Sequence, residues 1–114
     1  MALPKIALQD VPVRILFINC SPRGRNNTGW LIERAIAGAQ SQGKVEVELF
    51  EFKGKKMAPC TGCTAYCEKY KKCVHEDDFE TLTAMWLRAE GIMWGTPVYT
   101  FGPPSQARAW MERF

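Results

Sequence analysis

Two stretches hold the residues that could do chemistry. The first is Cys20-Ser21-Pro22-Arg23-Gly24-Arg25-Asn26-Asn27-Thr28. An apolar run, Val13 to Ile18, leads into it, and a helical pattern from Thr28 to about Gln42 leads out. A strand, a polar turn and a helix start in that order make an anion site. The first N–H groups of a helix are unpaired and lie at the positive end of its dipole. Ser21, Asn26, Asn27 and Thr28 add side-chain donors, and Arg23 and Arg25 add charge. The stretch reads as a phosphate cradle. The second stretch is Cys60-x2-Cys63-x3-Cys67-x5-Cys73. Thiolates this close in sequence can converge on one small inorganic centre. Zinc sites usually separate their two ligand pairs by more residues, whereas iron–sulfur centres tolerate tighter runs. The remaining cysteine, Cys20, reads as buried packing rather than as a nucleophile.

Several familiar chemistries are excluded. The dinucleotide fingerprint is absent after the first apolar run. Gly24 and Gly29 have P-loop glycine spacing, but Trp30 stands where the lysine belongs. A cysteine-dependent phosphatase loop would need an arginine where Asn26 stands. His75 is the single histidine and lies outside the phosphate turn, so a Ser-His-Asp system is not supported, and it reads as a surface or helix-start residue. The net charge of +3 is too weak and too scattered for nucleic acid, though it suits an anionic cofactor. No apolar stretch approaches the roughly 20 residues of a membrane helix. Met1 to Asp10 shows no signal-peptide pattern, which argues for the cytoplasm. The cysteines are odd in number and four crowd together, unlike a secreted disulfide scaffold.

The elements that must position these residues follow from periodicity. Val13 to Ile18 is nearly continuous and β-branched, as a central parallel strand buried on both faces would be. Thr28 is a plausible N-cap, and Leu31, Ile32, Ala35, Ile36 and Ala39 form one buried helical face, closed by Gly43. Val45 to Phe52 alternates like a half-buried edge strand. Lys53 to Lys56 is a solvated connection. Met57 to His75 has no clear period and reads as one long functional loop. Asp77 with Glu80 resembles a capping box for a second helix, whose buried stripe is Phe79, Leu82, Met85, Trp86 and Ala89. Gly91 to Gly95 is a short buried strand, followed by a rigid loop, Thr96 to Pro104. Ser105 caps a third helix, Gln106 to Phe114. This alternation implies an α/β chain with a parallel sheet, and ligands then bind at the carboxyl ends of the strands. The loops after Ile18 and after Gly95 both lie there and should form one site.

At this point the residues resemble a family. Asn19-Cys20-Ser21-Pro22-Arg23 with Asn27-Thr28 is one match. The loop from Cys60-x-x-Cys63 to Cys73 and Asp77-Asp78 is another, and Gly95-Thr96-Pro97-Val98-Tyr99 with Arg113 is a third. Together they look like the NAD(P)H-dependent FMN reductases, whose cysteine-bearing branch includes the iron–sulfur flavoproteins. The resemblance covers nearly the whole chain from Val13 on. It implies a flavodoxin-like three-layer α/β sandwich. It implies that Ser21, Arg23, Asn26, Asn27 and Thr28 hold the FMN phosphate. Thr96, Pro97, Val98, Tyr99 and Thr100 would wrap the isoalloxazine ring, with Gly102 allowing close approach. It implies NAD(P)H as electron donor and a small-molecule acceptor or redox protein as partner, in a homodimer or higher oligomer. Cys60, Cys63, Cys67 and Cys73 would hold a [4Fe–4S] cluster. Here the middle gap is x3, where the branch mostly has x2. In many relatives such cysteines carry no metal and pack as buried residues or form a dithiol. Both readings stay open, as does zinc.

A flavodoxin-like sheet has five strands in the order 2-1-3-4-5. This chain supplies three, in the order 2-1-3, and ends within the following helix. Residues 1–114 are therefore expected to be one domain and the N-terminal portion of a longer one. The leading expectation is an FMN-dependent NAD(P)H oxidoreductase. The rivals are a non-enzymatic electron carrier on the same fold and a metal-binding or interaction module built on Cys60 to Cys73.

Overall fold

The computed structural model describes residues 11–114. Met1 to Asp10, and with them the signal-peptide reading, lie outside the described residues. Strand β1 (Val13–Asn19) is apolar on both faces, and that puts it in the middle of the sheet. It pairs in parallel with β2 (Val45–Glu51) on one side and β3 (Gly91–Gly95) on the other, giving the order β2-β1-β3. Leu16, Phe17 and Ile18 are buried to 2% exposure or less. Asn19 stands opposite both Glu51 and Gly95, so all three strands end at one level and share a carboxyl edge. This is the expected flavodoxin-like α/β arrangement.

Helices cover both faces. Helix α1 (Asn27–Gln40) packs through Ile32 on the face that carries Asn19. On the other face Leu16, Ile18 and Cys20 join Phe50 and Phe52, α3 (Phe79–Arg88) and α4 (Ser105–Arg113) in one core. Aromatic rings lock that layer together. Trp110 lies 5.1 Å from Trp86, 5.8 Å from Trp94 and 4.7 Å from Phe114 between ring centroids. Such pairs contribute about 0.5–1.5 kcal/mol each beyond their buried area. The Trp110 indole N–H, which burial would otherwise leave unpaired, donates to Thr83 Oγ1 at 3.1 Å.

One buried ion pair ties α4 back to the start of α3. Arg113 Nη1 and Nη2 donate to the two oxygens of Asp77 at 2.7 and 2.9 Å. Their side chains are 1% and 8% exposed. Removing one partner of such a pair costs about 3–5 kcal/mol, because the other is left buried and charged.

Several sequence expectations are corrected in detail. Helix α1 begins at Asn27 with Asn26 at the N-cap position, not at Thr28, and it ends at Gln40. Leu31 is exposed, because its neighbour Ile32 takes the inward position. In β2 the alternation inverts toward the end: Leu49 is exposed, while Phe50 and Phe52 enter the aromatic core. Strand β3 is half-buried throughout, since it lies at an edge of the described sheet. Asp77 and Glu80 form no capping box among the described residues. Asp77 turns instead to Arg113 and to the backbone N–H of Ala58 and Phe79. Ser105 is the first residue of α4, not its cap.

The long loop is also not structureless. Helix α2 (Thr64–Tyr70) lies within it. Tyr66 and Tyr70, one turn apart, pack with their rings tilted at 44° and centroids 4.6 Å apart, and Lys71 closes the helix in a left-handed conformation at φ 56°. No α2 residue is buried, so it carries no apolar stripe that the sequence could display.

The ion pair has a pH signature. Hydrogen bonding from Arg113 holds the Asp77 carboxyl down to about 2, against an ordinary value of 3.8. Its contribution is therefore complete above about pH 5 and is lost as pH falls toward 2, by roughly 2 kcal/mol in all. Urea unfolding should show this loss in the wild type. Asp77→Asn should be less stable at pH 7 and lack that component. Equal acid dependence in both proteins would refute the assignment.

Candidate functional site

The phosphate turn is built from inside by Asn19. Its Nδ2 donates to Gly24 O at 3.1 Å and its Oδ1 accepts the Ser21 N–H at 2.9 Å. Ser21, fully buried, accepts from the Arg23 N–H at 3.3 Å and from Asn26 Nδ2 at 3.2 Å. The chain reverses over Ser21 to Gly24, with the Gly24 N–H on Ser21 O at 3.2 Å and Gly24 at φ +74°. The first helical bond of α1 runs from Trp30 N to Asn26 O, so the N–H groups of Asn27, Thr28 and Gly29 precede the ladder. Arg23 and Asn27 are exposed on the turn, whereas Arg25 is engaged by Glu33 at 2.9 Å. Asn26 Oδ1 is buried without a hydrogen-bond partner among the described residues.

The second loop leaves the neighbouring strand end. Cys20 N donates to Gly95 O at 2.8 Å, and the Thr96 hydroxyl, next along the loop, donates to Pro97 O at 2.7 Å. The turn and the loop are therefore stitched together at their roots. Gly95 makes this fit: a Cβ there would fall 2.5 Å from Ile32 Cδ1 and 3.4 Å from Thr28 Cγ2. Burial pushes the Cys20 thiol up to about 12, so it is a protonated packing group, as expected from sequence.

Beyond Thr96 the loop presents Val98 and Tyr99 to solvent and closes in a tight reversal. Tyr99 and Gly102 exchange both backbone bonds, at 2.8 and 3.2 Å, around Thr100 and Phe101. Those two residues sit at φ +50° and +63°, where glycine or asparagine is the usual choice. Arg108 holds the reversal, donating to the carbonyls of Pro103 at 2.9 Å and Thr100 at 3.2 Å. Gly102 leaves the room that the Arg108 guanidinium occupies. Sequence reasoning missed Arg108, and a lone arginine on a short helix gives no signal of this role. Asn19 was legible only as a polar residue ending an apolar strand.

The third component is the cysteine segment. Cys60, Cys63, Cys67 and Cys73 all line one cleft of about 490 Å³, roofed by Phe79, Arg113 and Phe114. Cys60 Sγ accepts the Gly62 N–H at 3.4 Å, and Cys73 Sγ accepts Arg113 Nε at 3.2 Å. As placed, no three metal-binding side chains among the described residues are close enough to hold one ion. The donor set nonetheless suits a thiolate-bound cluster. Four sulfurs face one space, two of them already receive N–H donors, and Lys71, Lys72 and Arg113 offset negative charge. Gly62 stands at φ +73° and α2 has no buried residue. His75 Nε2 is buried beyond this run with no partner among the described residues.

A parallel β2-β1-β3 sheet with a helix-start anion turn and a second loop on one carboxyl edge defines a flavodoxin-like α/β protein. Residues 13–114 match the family model described as NADPH-dependent FMN reductase, and the chain belongs to that family. It is 38% identical over 99 residues to an iron–sulfur flavoprotein of Archaeoglobus fulgidus, covering 87% of this chain and 49% of that protein. An iron–sulfur flavoprotein of Methanocaldococcus jannaschii is 32% identical over 101 residues, covering 89% and 51%. One of Methanosarcina thermophila is 31% identical over 101 residues, covering 89% and 52%. The chain spans about half the length of the curated relatives it matches. No helix among the described residues is long and apolar enough to cross a membrane.

Two substitutions test this geometry. Gly95→Val should force α1 off the end of β3 and cost about 1–3 kcal/mol in chemical unfolding, whereas an unchanged midpoint would show that the contact is not tight. Phe101→Gly should raise stability by about 0.5–1 kcal/mol. It relieves a left-handed residue at a small cost in chain entropy, and the lost side chain is fully exposed. A lower melting temperature would contradict that.

Proposed function

We propose that this chain supplies the FMN site of a flavoprotein oxidoreductase that passes electrons from NAD(P)H to an acceptor, with a [4Fe–4S] cluster on its four clustered cysteines. The observation that carries the reading is the stitching of the Ser21–Thr28 turn to the Thr96–Gly102 loop at Cys20 and Gly95. Anion donors and a flat apolar wall thereby lie side by side on one edge. The residues suit FMN. Arg23, Asn27 and the first N–H groups of α1 would hold its phosphate, and the buried Asn26 Oδ1 offers an unmet acceptor for a hydroxyl of its ribityl chain. Thr96 to Thr100 would lie along the ring, with Pro97 stiffening the wall and backbone groups meeting its polar edge.

When bound, FMN supplies hydride acceptance from a nicotinamide and electron delivery in one- or two-electron steps. The protein's share is to bind, orient and exclude water, and no acid–base side chain is required. This accords with a site whose nearest thiol, Cys20, stays protonated. We place the protein in the cytoplasm, as a homodimer or higher oligomer. A small-molecule acceptor or a redox protein would be its partner. A second reading is an electron carrier without nicotinamide turnover, favoured by relatives that are named for their cofactors.

Anaerobically purified protein should show flavin bands, or acquire them with FMN, together with a broad cluster shoulder. Arg23→Ala should raise the Kd for FMN about tenfold and leave that for riboflavin unchanged, since one charge-assisted bond to phosphate is worth about 1.5 kcal/mol or more. Equal loss for both flavins would remove Arg23 from the phosphate site. Oxidation of NAD(P)H with a quinone or free flavin separates the enzyme from the carrier. A protein that binds no flavin refutes both.

A further inference from the structure

In the cysteine cleft one buried group does more than offset charge. Arg113 ends α4, and its side chain is 1% exposed. It spends its donors on three separate segments. Nη1 and Nη2 form the fork on Asp77, and Nη1 also donates to Ala58 O at 2.9 Å. Nε is turned the other way, to Cys73 Sγ at 3.2 Å. The guanidinium is clamped 4.4 Å over the Phe79 ring. Nη1 also reaches the Met57 thioether at 3.7 Å, a longer contact than the Nε bond to the Cys73 thiol, which the Asp77 pair alone does not require.

We infer that Arg113 is the positioning residue of the cysteine centre, holding the Cys73 sulfur toward the cleft and setting the reduction potential of whatever cluster that sulfur binds. This rests on the cluster reading above. Of the four sulfurs, Cys73 alone is fixed to the folded core by a charged donor among the described residues, so it serves as the anchor on which the other three close. Donors to cluster sulfurs and nearby positive charge favour the reduced, more negative state and raise the potential. The charge acts across a buried contact, where screening by water is weak. Asp77 opposes it from the far side of the same guanidinium. The two partners of one ion pair must then tune the centre in opposite directions. A merely structural pair would not behave so, because loss of either member would disturb the cleft in the same way.

The test is a spectroscopic redox titration of protein reconstituted with ferrous iron and sulfide, with iron content measured alongside. Arg113→Gln should lower the midpoint potential of the cluster, and Asp77→Asn should raise it. Arg113→Lys, which keeps the charge but cannot serve both the carboxylate and the sulfur, should fall between wild type and Arg113→Gln. It carries the decision if Arg113→Gln does not fold. Unchanged potentials, or shifts of Arg113 and Asp77 variants in one direction, overturn the inference and leave the cluster reading standing. A wild-type protein that takes up no iron overturns both.

Discussion

The site depends on an absence at Gly95. Two loops from neighbouring parallel strands can touch only if the helix after the first loop lies flat on the end of the second strand. Ile32 and Thr28 of α1 occupy the space that any side chain at position 95 would need. Once α1 is seated there, its first N–H groups, the turn braced by Asn19 and the root of the Thr96 loop are fixed relative to one another. The burial of β1 supplies the driving force for that seating. Gly95 sets the distance at which it stops.

Much of this was legible in the sequence. Val13 to Ile18 shows a central strand because both of its faces are apolar. The alternation of strand and helix forces parallel pairing, and the strand ends then locate the ligand edge without further information. What was not legible depends on contacts between distant residues. Asp77 followed by Glu80 has the local pattern of a capping box, yet a buried guanidinium 36 residues on outcompetes a weak cap. Leu49 and Phe50 lie on opposite faces of β2, and it is Phe50 that packs into the core with Ile18 and Phe52 while Leu49, on the α1 side, stays exposed. Helix α2 was hidden because none of its residues is buried, so it shows no apolar period. Arg108 and Arg113 are ordinary surface-helix residues by composition. Only the fold shows that one holds a strained reversal and the other a sulfur.

The two candidate sites rest on supports of different kinds. The carboxyl edge of the sheet is held by the sheet itself, through strand pairing and the Asn19 brace. The cysteine cleft is held by side chains at its rim, chiefly the Arg113–Asp77 pair and the ring of Phe79 beneath it. The aromatic layer from Phe79 through Trp110 to Trp94 lies between the two, so a displacement of α4 is felt on both sides.

Helix α2 carries a consequence of its own. It has backbone hydrogen bonds but contributes no side chain to any core, so its local unfolding exposes almost no apolar surface. Segments of that kind open far more often than the sheet does, without waiting for global unfolding. Opening of the segment between Gly62 and Lys71 leaves the sheet and its carboxyl edge intact.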